Sequence, residues 1–295
     1  MTAREAFICV RNDLKSACIA EPDSKAREIV AYALGIDYAD IFFYQHIEPG
    51  TIETIKAMAR RCALNEPVQY ITGKSYFRHL TLSVTSDVLI PRRETELVAE
   101  KAIELIARHG LSDVLDMCTG SGCIAISVAT ETQASVEACD ISEKALKLAR
   151  QNAIAHGAAI RFFTSDMFVD VNRTYDLIVS NPPYVSEEEY ETLTEDVRRY
   201  EPQLALVADD GLTFYRRIAQ EAGQFLAEGG MLVLEIGARQ AAHIAALLAQ
   251  DFTDIACFKD YEGRDRIITA RKKQGVQCLT NSTNIRKDFC CSSKS

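Results

Sequence analysis

The stretch Val114-Leu115-Asp116-Met117-Cys118-Thr119-Gly120-Ser121-Gly122-Cys123-Ile124 decides the fold. A short apolar run ends at Met117, two glycines turn the chain, and an apolar helical pattern over Cys123–Ala129 follows. Downstream the alternation continues: strand Ser135–Cys139, helix Glu143–His156, strand Ile160–Phe163 and a strongly apolar strand, Tyr175–Ser180. Helix Thr213–Ala227, strand Met231–Ile236 and helix Arg239–Ala249 come next, and helix Glu96–Ala107 leads in from upstream. Regular βα alternation predicts a parallel sheet with helices on both faces. The last two strands, Ile255–Lys259 and Asp265–Thr269, are joined by Tyr261-Glu262-Gly263-Arg264. That link is too short for a parallel crossover, so they form an antiparallel hairpin. The expected fold is α/β, a Rossmann-like doubly wound sheet ending in that hairpin.

Ahead of this unit the pattern is helical. Ala6, Val10, Leu14 and Ala17 recur at helical spacing, and Ala26–Leu34 repeats the pattern and stops at Gly35. A third helix is expected over Ile52–Leu64, with Glu53 in its first turn and Asn65-Glu66-Pro67 ending it. Residues 1–75 therefore form a small helical bundle, which suits substrate docking and a purely structural role equally well. Tyr76–Ile90 alternates and is β-branched, so residues 76–92 are expected as a linking β-hairpin, 93–273 as the α/β domain, and the polar tail 274–295 as disordered.

The chain has 295 residues, 47% hydrophobic and 25% charged, which suits about two soluble domains. Its 14 glycines and 7 prolines exclude fibrous classes. No apolar run approaches the roughly 18 residues of a membrane span. Arg4, Glu5, Arg11 and Asp13 break up the start of the chain, so no secretory signal is read there and a cytoplasmic location is expected. Ten cysteines are spread out, none as Cys-x-x-Cys and with no histidine cluster, so no metal site is expected. The tail pair Cys290 and Cys291 is expected to be exposed. The net charge of −9 is uneven: 9 basic and 10 acidic side chains over 1–75, 19 and 31 over 76–271, and 5 and 1 over 272–295. An acidic centre repels phosphate backbones and suits a basic protein partner, so stable nucleic-acid binding is not expected.

Open α/β sheets bind ligands beyond the carboxyl ends of their strands. The turn Cys118-Thr119-Gly120-Ser121-Gly122 lies at the first such end and has Ala125 where a dinucleotide motif often has its third glycine. Alone it is weak, and a plain strand–helix turn explains it. Asp140 ends the second strand, where a carboxylate can accept both hydroxyls of a ribose, and Asp166 and Met167 follow the third. Singly each reads as a loop or capping residue. Together they outline a nucleoside site without a phosphate cradle, for which S-adenosylmethionine is the candidate cofactor.

The most specific signal is Asn181-Pro182-Pro183-Tyr184, after the fourth strand. Two prolines stiffen the turn and fix the carbonyls of Asn181 and Pro182. A flat amino group needs acceptors for its hydrogens, which Asn181 and the Pro182 carbonyl can offer, and a ring to pack its plane, which Tyr184 can supply. Elsewhere a proline-stiffened loop would be the better reading.

This tetrapeptide is similar to that of amino methyltransferases, and residues 1–271 resemble the release-factor glutamine methyltransferases, the HemK/PrmC family. The match includes Pro67-Val-Gln-Tyr-Ile-Thr-Gly73, Val88-Leu-Ile-Pro91-Arg-Arg-Glu94-Thr-Glu96, the glycine turn, Glu201-Pro-Gln-Leu-Ala-Leu206 and Asp210-Gly-Leu-Thr-Phe-Tyr-Arg-Arg217. The resemblance implies a class I methyltransferase sheet and transfer of a methyl group from S-adenosylmethionine to the glutamine side-chain nitrogen in the Gly-Gly-Gln tripeptide of class 1 peptide chain release factors. It implies that Cys118–Gly122, Asp140, Met167 and Asn181 line the cofactor site and that Asn181–Tyr184, Pro183 included, hold the glutamine. A monomer without a dedicated general base is expected. Cys118 and Met167 depart from the pattern, standing where a glycine and an aromatic residue are usual.

Two other classes compete. An adenine-specific DNA or guanine-specific RNA methyltransferase can use the same tetrapeptide, but needs a basic recognition surface that the charge distribution does not offer. An inactive docking protein would not need Asn181 and the glycine pair.

Overall fold

The computed structural model describes residues 1–275. The expected tail, 274–295, lies outside the described residues save for its first two, as does the pair Cys290 and Cys291.

Helix α1 (Ala3–Ser16) starts in a capping box, in which the Thr2 hydroxyl accepts from Glu5 N and the Glu5 carboxylate accepts from Thr2 N. Helix α2 (Pro22–Leu34) closes at Gly35, whose φ of +66° suits a left-handed cap. Helix α3 (Pro49–Ala63) packs with both around Leu14, Ile29, Val30 and Ile55. Two expectations shift. Ala17 is the exposed cap of α1, while Ala6, Val10 and Leu14 are buried as expected and Ala3 and Phe7 complete the stripe. Pro49 starts α3 early, its missing N–H costing nothing at a first turn, so Glu53 lies beyond that turn.

A short helix α4 (Val68–Thr72) precedes the hairpin of β1 (Lys74–Phe77) and β2 (Leu80–Ser83), in register Lys74↔Ser83 and Phe77↔Leu80. The hairpin is tighter than expected. Residues 84–92 leave it and run irregularly to α5 (Arg93–His109). The Tyr70 hydroxyl donates to the Val88 carbonyl at 2.6 Å, pinning this segment to α4.

The sheet comprises β3 (Asp113–Met117), β4 (Ser135–Asp140), β5 (Ile160–Thr164), β6 (Tyr175–Ser180), β7 (Leu226–Glu235), β8 (Phe252–Lys259) and β9 (Asp265–Lys272), in the order β5-β4-β3-β6-β7-β9-β8. The first five are parallel, and β9 is antiparallel to both β7 and β8. The doubly wound sheet with an antiparallel end is thus as expected, with the second hairpin strand inserted against β7. Helices α5 and α6 (Cys123–Glu131) cover one face, burying Val98, Ala102, Ile124 and Val128 against Val114 and Val179. Helices α10 (Thr213–Phe225) and α11 (Ala241–Leu248) cover the other, with Tyr215, Ile218 and Ile244 against Leu115, Ile178 and Leu234. Helix α7 (Glu143–Ala155) joins β4 to β5. The expected helix through Ala227 stops at Phe225, and β7 begins at Leu226. Glu228-Gly229-Gly230 has poor helix formers, and the pairing with β6 is irregular at Tyr175/Leu177. Two short helices, α8 (Glu187–Tyr190) and α9 (Glu195–Tyr200), lie between β6 and α10.

Strand order reverses at β3 and β6, the neighbours from which the sheet grows in both directions. Their carboxyl ends are tied by the Ser180 hydroxyl, which donates to the Met117 carbonyl at 2.7 Å. A crevice opens there.

Candidate active site

A cavity of about 460 Å³ occupies this crevice, within the usual range for small-molecule sites. Its walls are the segment 86–92, the turn after β3, the ends of β4, β5 and β6, residues 202–205 and the start of α10.

The turn after β3 holds three left-handed residues, Cys118 (φ +60°), Gly120 (+55°) and Gly122 (+84°). A Cβ at Gly120 would meet nothing within 4 Å, so that position leaves space in the cavity, whereas one at Gly122 would come within 3.2 Å of Ala149 Cβ and Ile126 Cδ1. Gly122 therefore serves helix packing, and it does not line the cavity as expected of it. Cys118, Thr119, Gly120 and Ser121 do. Asn152, buried on α7, braces the turn by donating to the Ser121 carbonyl (2.9 Å) and the Ser83 carbonyl (3.0 Å) while accepting from Ser83 N (2.8 Å).

Asp140 sits on the wall, with Oδ2 accepting from Gly120 N and Oδ1 from Ser142 N, each at 2.9 Å. Burial raises its pKa although these two amides oppose the rise. An ionised carboxylate offers about four acceptor sites, so capacity remains for a diol. Asp116 is different. It is fully buried away from the wall, Oδ2 accepts from the Thr119 hydroxyl (2.6 Å) and Ala125 N (3.1 Å), and burial pushes its pKa up to about 7. It holds the turn against α6.

Asp166 and Met167 line the next wall. Arg217 of α10 donates to Asp166 Oδ1 at 2.6 Å and to its carbonyl at 3.1 Å. Met167 is left-handed (φ +54°), its carbonyl held by the Ser165 hydroxyl at 2.8 Å, and its sulfur lies 3.9 Å from Cys118 Sγ. These groups suit S-adenosylmethionine: Asp140 for the ribose, Met167 for the adenine, and the open face of Gly120 for the amino-acid tail.

After β6, Asn181 and Pro183 reach the cavity, while Pro182 and Tyr184 stand outside its lining, contrary to the placement expected for substrate contacts. The cause for Tyr184 is an inward bond: its hydroxyl donates to Glu235 Oε1 at 3.2 Å. Burial raises the pKa of Tyr184 first, and the Glu235 charge adds to it. Asn181 Nδ2 donates to the Thr95 hydroxyl at 3.2 Å, and Thr95 in turn donates to Glu235 Oε2 at 2.7 Å. No donor among the described residues reaches Asn181 Oδ1. Glu235, at the end of β7, is 1% exposed, and burial lifts its pKa to about 7. Thr95, Glu235 and Arg217 were assigned no role by sequence reasoning. Glu235 had a usable signal, an acidic residue closing an apolar strand, as at Asp140.

Residues 96–199 match the family model described as methyltransferase small domain, and residues 5–73 match the PrmC N-terminal domain. The chain is similar to the release factor glutamine methyltransferase of Chlorobaculum tepidum, 42% identical over 277 residues, covering 88% of this chain and 91% of that one. It is 35% identical to that of Geobacter sulfurreducens, covering 92% and 96%. Among solved structures, a methyltransferase from Pyrococcus furiosus aligns with a TM-score of 0.50 at 17% identity, over 74% of this chain and 98% of that one. The 16S rRNA N2 G1207 methyltransferase of T. thermophilus, in complex with AdoMet and guanosine, aligns with a TM-score of 0.50 at 18% identity, over 68% and 50%. At those identities the structural likeness speaks for the fold alone.

Proposed function

The chain belongs to the release factor glutamine methyltransferase family, and from that premise we propose that it methylates the side-chain nitrogen of the glutamine in the Gly-Gly-Gln tripeptide of class 1 release factors. S-adenosylmethionine is its cofactor and supplies an activated methyl group on a sulfonium. The difficulty then lies with the acceptor, because an amide nitrogen shares its lone pair with its carbonyl.

The observation that carries this reading is Asn181, on the cavity wall with its donor end tied to Thr95 and its Oδ1 free. Oδ1 accepts from the substrate N–H, and that bond strengthens as nitrogen becomes positive, which stabilises the transition state more than the bound amide. Pro183 stiffens the corner, and alignment contributes the rest. Pro182 is not among the residues lining the cavity, so the reading rests on the Asn181 oxygen. No base is invoked, since the proton can leave after transfer. The acidic central region, 31 acidic against 19 basic side chains over 76–271, supports a basic protein substrate over a nucleic acid.

The test is transfer of labelled methyl to a purified class 1 release factor and to its Gln→Ala variant in the tripeptide, with duplex DNA and ribosomal RNA as parallel acceptors. Label on the unaltered factor alone is expected; label on nucleic acid overturns the substrate reading. In Asn181→Ala, kcat is expected to fall roughly 10²–10³-fold with the S-adenosylmethionine Kd nearly kept. A wild-type rate in that variant removes Asn181 from the chemistry.

A further inference from the structure

A side-chain amide can present either its oxygen or its NH2 group to a substrate, and the two ends have nearly the same shape. Only one serves a site that must accept a hydrogen bond. Something in the protein must therefore break the tie at Asn181.

We propose that Thr95 and Glu235 are positioning residues that set this orientation, through a one-way chain of hydrogen bonds running from Asn181 to Thr95 to the buried Glu235 carboxyl. The proposal deepens the glutamine-methylating reading and rests on it.

With Glu235 ionised, so that both of its oxygens only accept, the direction of the chain follows from donor and acceptor counts. Glu235 has two oxygens, of which Oε2 faces the Thr95 hydroxyl at 2.7 Å and Oε1 faces the Tyr184 hydroxyl at 3.2 Å. A hydroxyl carries a single proton. Once Thr95 donates it to the carboxyl, its oxygen is left with lone pairs only towards Asn181, 3.2 Å away. The amide must then turn its NH2 end to Thr95, and Oδ1 is left for the cavity. With Oδ1 turned inward, two acceptors would face each other.

Burial makes the arrangement stiff. Thr95 is 2% exposed and Glu235 is 1% exposed, and an unmet polar atom at such depth is costly. The carboxyl is held from several sides. Arg266 acts on it favourably through space and Glu94 unfavourably, while the Tyr215 hydroxyl donates at 2.7 Å to the main-chain carbonyl of the same residue. The three segments joined in this way are distant in sequence, with Thr95 opening α5, Glu235 closing β7 and Asn181 following β6.

Thr95→Val keeps the shape and removes the hydroxyl, and Thr95→Ser restores it. For Thr95→Val, kcat on the release factor is expected to fall about ten-fold or more, since small misplacements at a reacting centre are costly. The S-adenosylmethionine Kd, measured by calorimetry, should stay within about two-fold, and Thr95→Ser should recover most of the rate. A Kd near that of the wild type also certifies a folded site. Should Thr95→Val lose cofactor binding, the pair Thr95→Ala and Thr95→Ser replaces it, with kcat restored by Ser alone as the expected result. Wild-type kcat in Thr95→Val, or equal loss in Val and Ser, overturns the proposal. Absence of transfer by the wild-type protein would instead sink the underlying substrate reading, so the two failures remain distinct.

Discussion

Gly211 offers a sharp test of how the corner at Asn181–Tyr184 is supported. Its φ is +78°, and an added Cβ would stand 2.8 Å from the Tyr184 carbonyl oxygen and 2.9 Å from Gln240 Nε2. That amide nitrogen donates to the Tyr184 carbonyl at 2.9 Å and to the Gly211 carbonyl at 3.0 Å. Gly211→Ala thus incurs the left-handed backbone cost of roughly 1–2 kcal/mol. Relieving the clash moves Gln240 away from both carbonyls, at about 0.5–1.5 kcal/mol for each hydrogen bond lost. The expected destabilisation is about 2–5 kcal/mol. Gly157→Ala is the matched control, with φ +64° and nothing within 4 Å of the added Cβ, so it bears the backbone cost alone. Denaturant midpoints of the two variants, taken with methyl-transfer rates, separate the terms. Gly211→Ala should also lower kcat about ten-fold or more, because the carbonyl that is pushed belongs to the reacting corner. Equal midpoints for the two variants, with kcat unchanged in Gly211→Ala, would refute the idea that Gln240 and this turn brace the site.

Asp140→Asn should raise the S-adenosylmethionine Kd about ten-fold or more by calorimetry, since one end of the new amide would face a backbone N–H with another donor, at Gly120 or Ser142; an unchanged Kd removes Asp140 from the cofactor site. Glu235 has a folded pKa of about 7 against 4.5, so the folded state holds its proton more tightly than the unfolded chain. Its contribution to stability is therefore fully present below about 4.5 and is lost as pH rises through about 7. Glu235→Gln should flatten the fall in denaturation midpoint over that range, leaving the part due to Asp116, which is also raised to about 7; an identical slope in wild type and variant contradicts this.

The sheet was legible because each strand and helix carries its own period, and because a short link between the last two strands allows only a hairpin. The misplaced boundaries have local causes. Pro49 adds a turn that apolar spacing does not mark, and Leu226 leaves the helix for the strand within an unbroken apolar pattern. Helices α4, α8 and α9 are too short to show a period at all. Among the residues lining the cavity, Cys118–Ser121, Asp140, Asp166, Met167, Asn181 and Pro183 were legible because each ends or follows a strand. Thr95 was not, since its partner Glu235 lies 140 residues away and a lone threonine at a helix start reads as ordinary. The placement of Tyr184 was not legible, because nothing in the tetrapeptide says whether its hydroxyl turns to the cavity or to the buried carboxyl.

The two departures from the resembled pattern prove to be neighbours, which bears on how the turn tolerates them. Cys118 occupies a left-handed conformation that favours glycine, and so does Met167 opposite, at +60° and +54°. A side chain in that region costs roughly 1–2 kcal/mol, and each residue has an anchor beside it. Next to Cys118, Thr119 N donates to the Cys139 carbonyl at 3.0 Å; at Met167, the Ser165 hydroxyl holds the carbonyl at 2.8 Å while accepting from Asp170 N at 3.1 Å. Their sulfur atoms meet at 3.9 Å. The Cβ and thiol that a glycine would lack thus fill space against the thioether that stands where a ring is usual, and soft sulfur contacts adapt to irregular gaps. Each departure supplies the surface that the other needs, so the wall stays closed without the glycine or the ring.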